Sequence, residues 1–192
     1  MRNDFTFDSE KHVFIQHGQV VPSVTWVLAR AGICDYSFLD EERSQFFKER
    51  GKSVHWLLQL EDEGLLDHRK VPKALRPYRK AYKTWKTRSG FVPLLIEHKF
   101  VSPFGFSGIL DRYGKQPINA VLDFKTGSAA EWVKYQLAAY ALAIQPKIAL
   151  ARMIRRIALA LLPDGTYKVK EFPMSEFDHD IARFLEALKE TQ

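Results

Sequence analysis

A chain of 192 residues with 46% hydrophobic and 27% charged content is long enough to bury a sizeable core and has the composition of an ordinary globular protein. Its 29 Lys and Arg residues outnumber its 23 Asp and Glu, and the net charge of +6 is compatible with nucleic acid without identifying it. The single cysteine, Cys34, excludes an internal disulfide and any cysteine-based zinc or iron–sulfur site.

The apolar runs of the chain give no sign of a membrane protein. The first six residues lack the apolar stretch of a signal peptide, and the longest apolar run, residues 137–144, is far shorter than the roughly 20 residues of a membrane helix. The one cysteine also fits a reducing cytosol. We therefore expect a soluble cytoplasmic protein without membrane contact. Because no repeat or linker interrupts the sequence, we expect one domain over residues 1–192.

The first half of the chain is predicted to contain a short β-meander followed by helices. Residues 5–21 read as short strands around a turn that contains Gly18. Three helices follow, each ended or interrupted at a glycine, over residues 23–32, about 40–66 and about 72–89. Ser23 is a suitable N-cap for the first of them, and a break at Gly51 is left open in the second.

The second half of the chain is predicted to be rich in strands. The elements are strands at 94–101, 106–113 and 118–125, a helix at about 130–144, strands at 155–162 and 167–172, and a helix at 175–189. Ser175 is the expected N-cap of the last helix. The order helix, three strands, helix, strand predicts an α/β sandwich.

A basic segment between residues 69 and 88 carries nine Lys or Arg residues and no acid. Tyr78, Tyr82 and Trp85 recur in it at spacings of four and three, which places an aromatic stripe along one side of a helix. Such a stripe is more often core packing than a stacking surface, so we expect the rings to be buried. Whether the basic face is only solvated or contacts phosphates is left open.

Three charged side chains on two neighbouring predicted strands are the strongest functional signal. Asp123 and Lys125 are two apart in an extended strand and share a face. Alone they could be a surface ion pair worth at most about 1 kcal/mol. Asp111 lies one hairpin earlier, where antiparallel pairing can bring the two carboxylates together. Adjacent carboxylates repel unless a cation lies between them, and Mg²⁺ and Mn²⁺ prefer such oxygen ligands.

His55 lies in the middle of the second predicted helix. A lone helical histidine is more often a packed or surface residue than a ligand. Taken with the two carboxylates, however, His55 is predicted to be a metal ligand, and an imidazole shifts the preference from Mg²⁺ toward Mn²⁺.

Gln136 and Tyr140 are four apart in the helix that follows Lys125, so both lie on one side of it. By themselves they would be a mixed helix face beside an Ala- and Leu-rich core. Glu97 begins a second acid-X-lysine pattern on a predicted strand. It lacks a carboxylate on a preceding hairpin strand, and we reject it as the main motif.

The ordered set Gly51-X-X-X-His55, Gly108-X-X-Asp111, Asp123-X-Lys125 and Gln136-X-X-X-Tyr140 resembles the PD-(D/E)XK nuclease superfamily. The resemblance covers about residues 51–141. It is to the RecB-like branch with a motif histidine, among small stand-alone, phage-type exonucleases. It implies a restriction-endonuclease-like core of helix, three-stranded antiparallel meander, helix and strand, with flanking helices and a short N-terminal β-meander.

The resemblance also implies the roles of individual residues. The implied metal ligands, for one or two Mg²⁺ or Mn²⁺ ions, are His55, Asp111, Asp123, the backbone carbonyl of Phe124 and, near a second ion, Glu97. The implied catalytic residues are Asp111, Asp123, Lys125, Gln136 and Tyr140. In the family the glutamine supports the lysine or the DNA, and the tyrosine lines the substrate path.

The function implied is that of a divalent-metal-dependent DNA nuclease, with an exonuclease in recombination, repair or DNA-end processing as first choice. Linear ends or single strands would be hydrolysed to 5′-phosphates, and a recombination or replication protein is a candidate partner. The alternative is a non-catalytic DNA-binding module or accessory subunit on the same fold. Two departures are Leu110 in place of the superfamily's proline and the lack of a cysteine quartet, so no iron–sulfur cluster is expected.

Overall fold

The computed structural model describes residues 4–34 and 41–191. A three-stranded antiparallel sheet opens the described chain, with β1 at Phe5–Asp8, β2 at Val13–Gln16 and β3 at Gln19–Val21. His17 and Gly18 form the two-residue turn between β2 and β3 and both have positive φ, as primed hairpin turns require. The predicted N-terminal meander is confirmed.

Three helices follow, α1 at Val24–Arg30, α2 at Glu41–Asp62 and α3 at Arg76–Ser89. The Ser23 side chain accepts a hydrogen bond from the Trp26 amide, which confirms the predicted cap of α1. Helix α2 runs through Gly51 without a break, and its predicted start at Asp40 lies outside the described residues.

A second sheet has five strands in the order β4-β5-β6-β7-β8. Its strands are β4 at Val92–Val101, β5 at Ser107–Gln116, β6 at Ile118–Lys125, β7 at Arg155–Leu161 and β8 at Tyr167–Phe172. All neighbours are antiparallel except β6 and β7, which α4 (Val133–Ile144) and the short α5 (Ile148–Ala151) connect in parallel. The predicted core order of helix, antiparallel meander, helix and strand is confirmed.

Helices cover both faces of this sheet. Helices α1, α4 and the closing helix α6 (Phe177–Lys189) pack on one face, and α2 and α3 pack on the other. Neighbouring residues of β6 alternate between the two cores, with Val121 on the α4 side and Leu122 and Phe124 on the α2 side. The alternation therefore directs Asp123 and Lys125 toward α4.

Two details of the helices test the sequence predictions directly. Tyr78, Tyr82 and Trp85 are buried against the sheet, so the aromatic stripe of α3 is core packing, as predicted. The predicted cap at Ser175 is wrong. A turn of 3₁₀ helix occupies Met174–Glu176, α6 begins at Phe177, and no side chain caps it. The reason is that Pro173 starts the tighter turn before an α-helical hydrogen bond can form.

None of the helices in the described ranges is both long and apolar enough to cross a membrane. That the whole chain forms one domain stays a prediction.

Candidate metal centre

The ladder between β5 and β6 opens where the charged motif lies. Pairing runs from Gln116↔Ile118 to Arg112↔Leu122 and ends there. One position further, where Asp111 would oppose Asp123, a side chain takes over from the backbone. Asp111 Oδ2 accepts a hydrogen bond from the Phe124 amide at 2.6 Å. The Asp111 carboxylate therefore bridges β5 and β6 where their backbone pairing ends.

Three side chains from three elements converge beside this opening. His55 of α2, Glu97 of β4 and Asp111 of β5 each offer a donor atom, and these atoms all lie within 4.8 Å of one another. His55 Nδ1 is 3.4 Å from Asp111 Oδ1 and 3.8 Å from Glu97 Oε1. We call these three residues the donor cluster.

Glu97 reaches the donor cluster through an unusual backbone conformation. It is a non-glycine residue with a φ of 44° inside β4, and the ladder pairs its neighbours, Ile96 with Arg112 and His98 with Leu110, but not Glu97 itself. Such strain costs on the order of 1–3 kcal/mol and tends to occur at functional sites.

A chain of contacts runs from Asp123 into α4. Lys125 Nζ lies 2.8 Å from Asp123 Oδ2 and 3.4 Å from Gln136 Oε1, to which it donates. Gln136 Nε2 in turn donates to the Tyr140 hydroxyl at 2.9 Å. Gln136 and Tyr140 are both 4% exposed. Because Gln136 and Tyr140 are spaced i, i+4 on α4, Tyr140 can orient the Gln136 amide that accepts the hydrogen bond from Lys125. Tyr140 itself lies within the core.

The three residues of the donor cluster shift one another's pKa values. Burial alone would lower the pKa of His55, but Asp111 and Glu97 raise it to about 9. Burial opposes ionisation of Asp111, yet His55 and the Phe124 amide lower its pKa below the usual range. Burial and the charge of Asp111 raise the pKa of Glu97 to about 7. Without a cation, the cluster therefore keeps protons at neutral pH that a metal ion would displace.

The pair Asp123 and Lys125 is likewise shaped by burial. Burial raises the pKa of Asp123, although Lys125 opposes that rise. Burial would lower the pKa of Lys125, but the Asp123 carboxylate raises it, so the ammonium stays protonated. Asp123 Oδ2 is buried and has no hydrogen-bonding partner of good geometry among the described residues, despite the nearby ammonium.

One imidazole and two carboxylates fit a Mn²⁺ or Mg²⁺ ion by their chemistry. Of the ligands predicted from the sequence, His55, Asp111 and Glu97 come together. Asp123 is not part of that group; its carboxylate contacts Lys125. At Phe124 the structure involves the amide, in the bond to Asp111, and a ligand role for its carbonyl stays a prediction.

Sequence reasoning missed a buried arginine that braces the cluster. Arg112 is 0% exposed and donates from Nε to Asp62 Oδ2 at 2.7 Å and from Nη1 to Glu97 Oε1 at 2.9 Å. Asp62 also receives hydrogen bonds from Tyr82 and Lys86, both at 2.6 Å. The available signal was an arginine directly after Asp111, following the apolar pair Ile109 and Leu110.

Part of the charge of the basic segment is neutralised inside the fold. Arg79 and Lys83 pair with Glu61 at 2.5 and 3.5 Å, and Lys86 pairs with Asp62 at 2.6 Å. Other basic side chains of the segment are exposed. Their contact with phosphates stays a prediction.

No family model and no curated protein matches the chain. Among solved structures, an alkaline exonuclease from Laribacter hongkongensis (LHK-Exo) is similar at 12% identity and a TM-score of 0.29, over 73% of this chain and 80% of that chain. LHK-Exo in complex with dAMP is similar at 11% identity and a TM-score of 0.34, over 89% of each chain. Similarities this weak establish neither the fold nor the activity of this protein.

Proposed function

We propose that this protein is a divalent-metal-dependent DNA nuclease. The observation that carries the proposal is the donor cluster of His55, Glu97 and Asp111 beside the ion pair of buried Asp123 and half-buried Lys125. A metal site next to a fixed ammonium combines the two charges that phosphodiester hydrolysis requires. His55, Asp111, Asp123 and Lys125 are also among the residues that resemble the RecB-like branch.

The donor cluster would hold the cation, and the Asp123 carboxylate interacts electrostatically with Asp111 and His55 of this cluster. When bound, the cation would lower the pKa of a water molecule and polarise the scissile phosphate. The Phe124 amide fixes one oxygen of Asp111 and leaves the other directed at His55. Arg112 restrains Glu97 in the same way. The ligands are therefore held in place before a substrate arrives, which is what metal-assisted catalysis needs.

Lys125 would supply positive charge beside the scissile phosphate. Its ammonium is protonated because Asp123 raises its pKa, so it offsets the negative charge that builds on the phosphate in the transition state. Gln136 orients this ammonium, and Tyr140 orients Gln136. We therefore assign both as positioning residues, and a direct contact of Tyr140 with substrate would need the core to open.

The finer assignments rest on the resemblance. We propose that the activity is that of an exonuclease in recombination, repair or DNA-end processing. Its substrates would be DNA ends or single strands, and its products would carry 5′-phosphates. A recombination or replication protein partner belongs to the same set of proposals.

Digestion of end-labelled linear, circular and flapped DNA with Mn²⁺ or Mg²⁺ tests the proposal. We expect cleavage by the wild type and a loss of at least 100-fold in Asp111→Asn and Lys125→Ala, as for the removal of one transition-state stabilising group. The matched control for Lys125→Ala is Lys168→Ala. For His55→Ala, which is used in the metal titration, the control is His179→Ala. Both control side chains are exposed and lie on other elements.

Calorimetric titration of the metal-free protein with Mn²⁺ is the second measurement. Weakened binding in His55→Ala and Asp111→Asn, but not in His179→Ala, is the expected result. Full cleavage by Asp111→Asn would contradict the proposal. DNA binding without metal-dependent cleavage by the wild type would support the non-catalytic module instead.

A further inference from the structure

A groove of about 750 Å³ lies where the three-stranded sheet meets the start of α1. We call it the N-terminal groove; its lining includes Lys11, His12, His17, Val20, Trp26 and Gly105. No carboxylate of the described chain lines it. The groove therefore offers a cationic and apolar surface, which complements an anionic ligand with flat apolar faces.

Trp26 gives the groove an exposed aromatic ring. Its side chain is 49% exposed, although Val24, Val27 and Leu28 of the same helix are buried. The start of the helix that carries Trp26 is capped, because the Trp26 amide donates to Ser23 Oγ at 3.2 Å. Exposed Val20, 64% accessible, also lines the groove. Aromatic side chains beside basic groups are the usual platform for the bases of single-stranded nucleic acid.

The N-terminal groove is attached to the strand that carries Asp111. Ser107, the first residue of β5, donates from its amide to the Pro22 carbonyl at 2.9 Å and from its hydroxyl to the Val21 carbonyl at 3.0 Å. Four residues of extended strand separate Ser107 from Asp111, or about 13 Å at 3.3 Å per residue. The sheet that forms the groove is therefore fixed to the same strand as Asp111.

A second contact ties the sheet to β4, which carries Glu97. The Lys99 ammonium lies 5.2 Å from the centre of the Phe7 ring of β1. Lys99 is exposed and lies two residues beyond Glu97. Exposed positive charge is thus present beside the N-terminal sheet, on the strand that carries Glu97.

We infer that the N-terminal groove binds a single-stranded segment of the nucleic acid whose phosphodiester lies at the donor cluster. A base stacks on Trp26, and Lys11 contacts a phosphate. A base that stacks on a side chain is not paired in a duplex, so the bound segment is single-stranded. The inference rests on the proposed function for the position of the cleaved bond, but binding in the groove requires neither metal nor cleavage.

The test is a titration of 5′-fluorescein-labelled dT12 with the full chain in EDTA, followed by anisotropy. Trp26→Ala is expected to weaken binding about 5- to 160-fold, the range for loss of one stacking contact, while Trp26→Phe retains most of the affinity. Lys11→Glu is expected to weaken binding and to reduce the slope of log affinity against log salt. Controls are Val169→Ala and Lys168→Glu, exposed on β8 at the far edge of the five-stranded sheet.

Cleavage of oligonucleotides by the same variants separates the two proposals. Loss of dT12 affinity in Trp26→Ala and Lys11→Glu supports the groove whether or not the wild type cleaves DNA. Unchanged affinity in both variants, or an equal loss in Lys168→Glu, overturns it even if metal-dependent cleavage is found. Circular dichroism spectra that match the wild type establish that the exposed substitutions leave the fold intact.

Discussion

The guanidinium of Arg112 and the carboxylate of Glu97 meet at 2.9 Å, although Arg112 is entirely buried and Glu97 belongs to the donor cluster. The same guanidinium binds Asp62 at the end of α2, the helix that also carries His55. One buried cation therefore connects α2, β4 and β5, the three elements that supply the ligands. Such a group sets the distances between ligands without touching a substrate.

Replacing Arg112 is expected to impair metal binding as well as stability. Arg112→Met removes one of the three donors to the buried Asp62 carboxylate, which keeps Tyr82 and Lys86, and should destabilise the fold by about 1–3 kcal/mol. Arg112→Lys keeps a charge but cannot span both carboxylates, so we expect a folded protein whose Mn²⁺ affinity falls about 10- to 100-fold. Urea unfolding and Mn²⁺ titration measure the two effects.

Arg152→Lys is the control for Arg112→Lys, because Arg152 pairs with Asp178 on the surface. Exposed pairs contribute about 0–1 kcal/mol. If Arg112→Lys bound Mn²⁺ as tightly as the wild type, the proposed bracing of Glu97 would be wrong.

Metal affinity should rise with pH because His55 must lose its proton to bind. The pKa of His55 is about 9 in the metal-free protein, so Mn²⁺ competes with a proton below that pH. Titrations between pH 6 and pH 9 (about the range set by the shift) should show tightening binding. The slope should flatten in His55→Ala, and a pH-independent affinity in the wild type would contradict the prediction.

The raised pKa of His55 also determines how the stability of the metal-free protein changes with pH. A raised histidine pKa stabilises the folded state below the unfolded value of 6.5, and this contribution is lost as pH rises through about 9. Metal-free wild type should therefore lose stability relative to His55→Ala over that range. Saturating Mn²⁺ should offset the loss, by about 2.7 kcal/mol at one hundred times the dissociation constant.

Lys125→Ala should separate catalysis from metal binding. The ammonium contacts Asp123 and Gln136 and is not a metal ligand, so Mn²⁺ affinity is expected to be retained. The turnover number should fall at least 100-fold with little change in KM, because the charge acts in the transition state. Steady-state kinetics on labelled DNA, with Lys168→Ala alongside, measures this. A matching loss of Mn²⁺ affinity would place the lysine in a structural role.

Two glycine substitutions should have opposite effects on stability. A Cβ at Gly108 would lie 2.9 Å from the Phe100 ring and 3.2 Å from the Tyr140 ring. Gly108→Ala should therefore destabilise the fold by about 1–3 kcal/mol. A Cβ at Gly51 meets nothing within 4 Å in the middle of α2, and Gly51→Ala should stabilise the helix by about 0.5–1 kcal/mol. Thermal unfolding of both variants checks the pair.

Local patterns in the sequence determined which side chains share a face of a strand or a side of a helix. The spacing of two between Asp123 and Lys125 placed them on one face of a strand, and the spacing of four placed Gln136 and Tyr140 on one side of a helix. The aromatic stripe of α3 and the cap at Ser23 follow from the same periodicities. These features depend on neighbours within a few residues, so the amino-acid order alone specifies them.

Only the tertiary structure decided which side chains meet. Glu97 joins His55 and Asp111 because β4 leaves the extended conformation at that residue, and Asp111 binds the Phe124 amide where the ladder between β5 and β6 ends. The burial of Arg112 likewise depends on Asp62, fifty residues away in the chain. Strand register, backbone strain and buried ion pairs arise from packing between distant segments, and no local periodicity records them.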